Sequence, residues 1–128
     1  MDTTDVWGID HVQLLCPVGG EATARSFWTS IVGLVEVAKP AALRDSGGVW
    51  FRCGHQGLHI GADPAFTPSV RAHPAIRMCS ASAYAELVGR LEAAGIDIEH
   101  AKVPVADERM KVRDPFGNLI EFVLGTTG

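Results

Sequence analysis

The chain has 128 residues, 47 % of them apolar and 20 % charged, which suits one folded domain with its own core and excludes a disordered segment. Fifteen acidic residues against eleven basic ones give a formal charge of −4, with no Lys/Arg block, so nucleic acid is not an expected partner. No apolar run is long enough to span a bilayer, Met1 to Asp5 lack the basic start of a signal peptide, and Cys16, Cys53 and Cys79 show no C-x-x-C spacing; no membrane partner, no disulfide framework and a cytoplasmic location are expected.

Ile9 to Cys16 alternates apolar and polar residues as a half-buried strand does, with His11, Gln13 and Leu15 on one face. Pro17 and Gly19-Gly20 end it. Glu21 to Val32 reads as a helix, with Phe27 and Ile31 four apart and Gly33 as its stop. Short strands follow at Leu34 to Ala38, Val49 to Cys53 and Leu58 to Gly61, separated by a loop at 41–48 and a turn at Gly54 to Gly57. Asp63 to Ala72 contains two prolines and reads as a connector. The pattern then restarts: a strand at His73 to Cys79, a helix at Ala83 to Ala94 stopped by Gly95, and strands at Ile96 to Glu99, Met110 to Val112 and Leu119 to Leu124.

The two halves align at one offset. His73 follows His11 by 62 positions, and Gly95 follows Gly33 by the same 62. Leu58 then pairs with Ile120, His59 with Glu121, and Ile60 with Phe122. The expected fold is therefore α+β, a single domain over 1–128 built from two tandem βαβββ modules, at about 8–62 and 73–124, joined by the connector 63–72. Paired sheets of duplicated modules form a pseudo-symmetric open barrel, in which equivalent positions are expected to converge near the axis.

Four polar residues interrupt apolar strands at equivalent positions: His11, His59, His73 and Glu121. Glu121 sits in L-I-E-F-V, where an unpaired carboxylate is costly to bury and is usually paired, protonated or on a metal. Arg52, Arg77 and Arg113 are alternative partners for it. His59 sits in G-L-H-I-G, where Gly57 and Gly61 leave room beside the ring. Three imidazoles and one carboxylate suit a divalent transition ion (Zn, Ni, Fe, Mn or Co), with positions left open on a five- or six-coordinate metal. Glu121 is the candidate general base. Arg52 and Arg113 lie near turns and are candidates to hold a substrate carboxylate or phosphate. Gln13, on the face of His11, is a third substrate-binding candidate. Gly117 and Asn118 read as turn residues that set the register of the last strand.

These pieces, G-I-D-H-V-Q-L at 8–14, G-L-H-I-G at 57–61, A-H-P-A-I at 72–76 and D-P-F-G-N-L-I-E-F at 114–122, resemble the vicinal oxygen chelate superfamily. That superfamily includes glyoxalase I, extradiol dioxygenases, and bleomycin and fosfomycin resistance proteins. The resemblance implies a divalent metal at the floor of a cup, held by His11, His59, His73 and Glu121. It also implies a homodimer acting on a small molecule through vicinal oxygens, as lyase, isomerase or dioxygenase. The alternative is a non-catalytic drug- or metabolite-binding protein of the bleomycin-resistance type. One departure matters: glyoxalase I has a glutamate where this chain has His59, so its two-carboxylate proton transfer does not carry over.

Overall fold

The computed structural model describes residues 5–101 and 108–125; the acidic start at 1–4 lies outside them. The first module runs β1 (His11–Cys16), α1 (Glu21–Arg25), a π-helical segment (Ser26–Val32), β2 (Val35–Val37), β3 (Val49–Cys53) and β4 (Gln56–Ala62). The second runs β5 (Ala75–Met78), α2 (Ala81–Ala93), β6 (Glu99–His100), β7 (Glu108–Arg113) and β8 (Leu119–Leu124). Each forms a four-stranded sheet, in the orders β1-β4-β3-β2 and β5-β8-β7-β6. In both, the first and last strands pair in parallel, and their partners stand 46 positions apart: His11 faces Gly57, and Ala75 faces Glu121. The duplication read from the sequence is thus repeated in topology and in register.

The expected helix over 21–32 is one continuous helix with two geometries. The Thr29 hydroxyl donates to the Arg25 carbonyl at 2.6 Å, a back-bond that competes with the regular ladder. The segment after Arg25 widens to π geometry. Gly33 stops it at φ 96°, and the N–H groups of Gly33 and Leu34 both donate to the Trp28 carbonyl. The second helix starts at Ala81, two residues earlier than its apolar spacing suggests, because Ser80 caps it by accepting from the Ala83 N–H at 3.1 Å. Its buried face is Tyr84, Leu87 and Leu91.

One core unites the modules. Leu14, Leu58, Ile60 and Phe51 from the first sheet and Met110, Val112, Ile120 and Phe122 from the second share a cluster with Phe27, Trp28, Leu87 and Leu91 of the helices. Strand pleating sends the alternate residues to the opposite faces. Those faces carry His11, His59, His73 and Glu121. Arg90 links the helices by donating from Nε to the Ile31 carbonyl at 2.6 Å.

A buried polar junction fixes the modules to each other. Asn118, 1 % exposed, donates from Nδ2 to the Leu15 carbonyl at 2.8 Å and to Asp114 Oδ2 at 2.9 Å. Its Oδ1 accepts from the Ser69 N–H at 3.0 Å. Asp114 Oδ1 in turn accepts from the N–H groups of Phe116 and Asn118. Burial pushes the Asp114 carboxyl above its usual range, while these hydrogen bonds act in the opposite sense. The turn before β8 is therefore tied to the end of β1 and to the connector in one set of bonds.

Removing the amide leaves a carbonyl, a backbone N–H and a carboxylate oxygen short of partners in a dry site. Asn118→Ala is expected to destabilise the fold by about 2–4 kcal/mol in urea unfolding, with an unchanged m-value. A loss below about 1 kcal/mol would show that the junction is dispensable.

Candidate functional site

The first half of the site is built on β1, β3 and β4. Across β3 and β4, Trp50 stands opposite His59, and across β1 and β4 Gln13 stands opposite the same residue. Opposite residues share a face. The Trp50 and His59 rings lie parallel, centroids 3.8 Å apart, and His11 stacks on His59 at 4.4 Å and 18°. Strand order puts His59 in the middle of this three-ring stack.

Small residues make the stack possible. A Cβ at Gly57 would come within 2.8 Å of His59 Nε2 and 3.2 Å of His11 Cβ. At Gly61 it would meet Gln13 Nε2 at 3.0 Å, so the Gln13 amide lies over that glycine. His59 is 8 % exposed, and its pKa is pushed below the ordinary imidazole value, first by burial and then by the neighbouring His11, against a smaller opposing effect of Asp10. A neutral ring with an available lone pair is the form that binds metals. The His11 Nδ1 lies 2.9 Å from Asp10 Oδ2. A carboxylate there can only accept, so Nδ1 carries the hydrogen and Nε2 is left as a donor to an ion.

The second half is built on β5, β7 and β8. His73, just before β5, places Nδ1 2.8 Å from the Arg71 carbonyl and Nε2 2.9 Å from Glu121 Oε1. The carbonyl again assigns the hydrogen to Nδ1. Nε2 and Oε1 then meet lone pair to lone pair, and the approach requires a proton or a cation between them. Glu121, 6 % exposed, is held at its other oxygen, with Arg109 Nη1 donating to Oε2 at 3.2 Å. The imidazole and carboxylate donors, each ring with its outer partner, have the chemistry of a site for a divalent transition ion.

The four residues singled out in the sequence are thus brought together as two pairs, His11 with His59 and His73 with Glu121. They do not converge in one chain. Among the described residues, no three His, Cys, Asp or Glu side chains are grouped closely enough to hold an ion. Arg52 is exposed and shares the face of His59, opposite Gly57 and Val35. Arg113 turns to the backbone instead, donating from Nη1 to the Gly117 and Val70 carbonyls at 3.3 and 3.4 Å. Among the described residues, the arginine paired with Glu121 is Arg109, and not Arg52, Arg77 or Arg113. Arg109 was missed because β7 begins before Met110, although the alternation in E-R-M-K-V-R at 108–113 carries the signal. The sequence alone allows Trp50 to line a pocket or to join the core, and its cross-strand position beside His59 puts it on the polar face.

A cleft of about 400 Å³ lies elsewhere, between the first helix and the end of α2, lined by Phe27, Ile31, Ile96 and Arg113 among others. It touches none of the four paired residues. No helix among the described residues is long and apolar enough to cross a membrane.

The sequence matches the family described as Glyoxalase/Bleomycin resistance protein/Dioxygenase superfamily over residues 8–122. No curated protein matches it. Among solved structures, it is similar to a glyoxalase family protein from Bacillus anthracis, 39 % identical with a TM-score of 0.89, covering 98 % of this chain and 100 % of that one. A lactoylglutathione lyase from Agrobacterium tumefaciens is 22 % identical, with a TM-score of 0.73 and coverage of 95 % and 96 %. The fosfomycin resistance protein FosX from Listeria monocytogenes is 19 % identical, with a TM-score of 0.73 and coverage of 94 % and 95 %. These two share the fold. With a family match over most of its length and a close relative spanning nearly all of it, the chain belongs to the glyoxalase/bleomycin resistance protein/dioxygenase superfamily.

Proposed function

We propose that the protein is a metal-dependent enzyme of glyoxalase type, a lyase, isomerase or dioxygenase, which binds a small oxygenated substrate at a divalent ion. The carrying observation is the orientation of its histidines. His11 and His73 each commit Nδ1 to an acceptor, a carboxylate and a carbonyl, and so present Nε2. Such an ion would be held by His73 and Glu121 together with His11 and His59. Because the pairs stand apart in one chain, we assign the two halves of each site to different subunits of a homodimer. Exposed apolar residues beside the first half, Trp7, Ile9 and Val35, support such an association.

When bound, the ion supplies Lewis acidity toward two neighbouring substrate oxygens. The chain's own residues do the rest. Glu121 offers Oε1 on the His73 side and keeps Oε2 for proton transfer. Arg52, exposed on the His59 face, is placed to orient an anionic group, and the Gln13 amide is placed to hydrogen-bond a substrate oxygen. The Trp50 indole covers one side of His59 and limits the access of water to that ring.

Elemental analysis of protein purified without an affinity tag is expected to find about one transition ion per chain, with little in His11→Ala or Glu121→Ala. Dissociating and re-forming these two variants in equal mixture is expected to restore about one quarter of the wild-type sites, since only half the dimers are mixed and each of those has one intact site. No recovery would place the site within a chain. No ion in the wild type, even after loading with Zn, Ni, Mn or anaerobic Fe(II), would favour a non-catalytic drug- or metabolite-binding protein.

A further prediction concerns the stack. In Gly57→Ala the new methyl displaces the His59 ring, and ion affinity is expected to fall by about tenfold. The His59 ring protons are expected to lose the shielding that Trp50 gives them in the NMR spectrum. Unchanged shifts and affinity would show that Gly57 does not set the ring.

A further inference from the structure

We propose that Arg109 is a positioning residue that restricts Glu121 to a single oxygen at the ion, so that one place on the ion stays free for substrate. This rests on the metal-site reading above and adds to it a device that sets how the carboxylate binds.

A carboxylate can approach a divalent ion through one oxygen or both, and the choice changes the number of places left for other ligands. In this chain the two oxygens of Glu121 have different neighbours. Oε1 lies 2.9 Å from His73 Nε2, the nitrogen left available by the Arg71 carbonyl, while Arg109 Nη1 lies 3.2 Å from Oε2. The carboxylate is 8 % exposed at its side chain, so water competes little for either oxygen.

The strand register makes the arrangement specific. Lys111, not Arg109, stands directly opposite Glu121 across β7 and β8, yet the recorded ion pairs of Glu121 are with His73 and Arg109. Arg109 stands opposite Val123, one pleat further along the same face, and reaches back to Oε2 from the side away from His73's strand, since β8 lies between β5 and β7. A guanidinium in that place pulls Oε2 away from the ion. It also sets a fixed positive charge beside the site, which weakens the attraction for a divalent cation. The arrangement therefore trades ion affinity for an accessible ion.

The test uses the metal-stripped full-length protein, titrated with Mn2+ and Co2+ by calorimetry, with the visible spectrum of the Co2+ form as a second readout. Arg109→Met and Arg109→Gln both remove the charge, and the second keeps a neutral amide NH2 donor in case the first folds poorly. Both are expected to bind the ions about tenfold more tightly than the wild type. Their Co2+ bands are expected to weaken, as happens when coordination number rises. Arg109→Lys, which keeps the charge, is expected to stay within about threefold of the wild type. Equal or weaker binding in both neutral variants, with an unchanged Co2+ spectrum, overturns the assignment of Arg109 while leaving the metal site standing. A wild type that binds neither ion overturns the metal-site reading and the role of Arg109 with it.

Discussion

The structure depends on the parallel pairing of the first and last strands within each module. A parallel pair needs a long connection, and here that connection is the helix and the two remaining strands. The pairing brings residues 46 positions apart side by side, which sets His11 beside the His59 row and places Glu121 next to the strand that His73 precedes. Pleating then separates two tasks. Ile60, Phe122 and their neighbours go to the helices, and the polar residues between them go to the other face. A shift of one residue in either pairing would exchange the two sets.

The register is protected where an error would cost most. The turn before β8 carries Gly117 at φ 93°, followed by the buried Asn118 amide. Asn118 binds across the chain to Leu15, in the strand that carries His11, so the two halves of the molecule are aligned through one side chain. The cost of burying Asp114 is offset only in part by its bonds to Asn118, Phe116 and Gly117. Its role is structural: it organises the strand that presents Glu121.

Much of this was legible in the sequence because period and offset are geometric quantities. The strands Val49–Cys53 and Leu119–Leu124 match their expected bounds residue for residue. Gly33 and Gly95 stop the helices with positive φ, as their shared offset implied. Less legible were features set by side chains acting on the backbone. Thr29 widens the first helix, and Ser80 starts the second early, and neither alters apolar spacing. Arg109 was hidden because β7 mixes four charged residues with only Met110 and Val112 as apolar ones. The division of the four polar residues into two pairs was also beyond reach, since a shared offset fixes equivalence between modules but not their mutual placement.

The three-ring stack has an optical consequence. Trp50 lies flat on His59 at 3.8 Å, close enough for the excited indole to exchange charge with the imidazole beneath it. Protonation of that ring, or a cation drawing on its lone pair, changes how well it accepts an electron and hence how brightly Trp50 emits. Trp28 is fully buried and Trp7 fully exposed, so each emits from a distinct environment. The chain thus carries its own fluorescent gauge of the state of His59, readable without label or substrate.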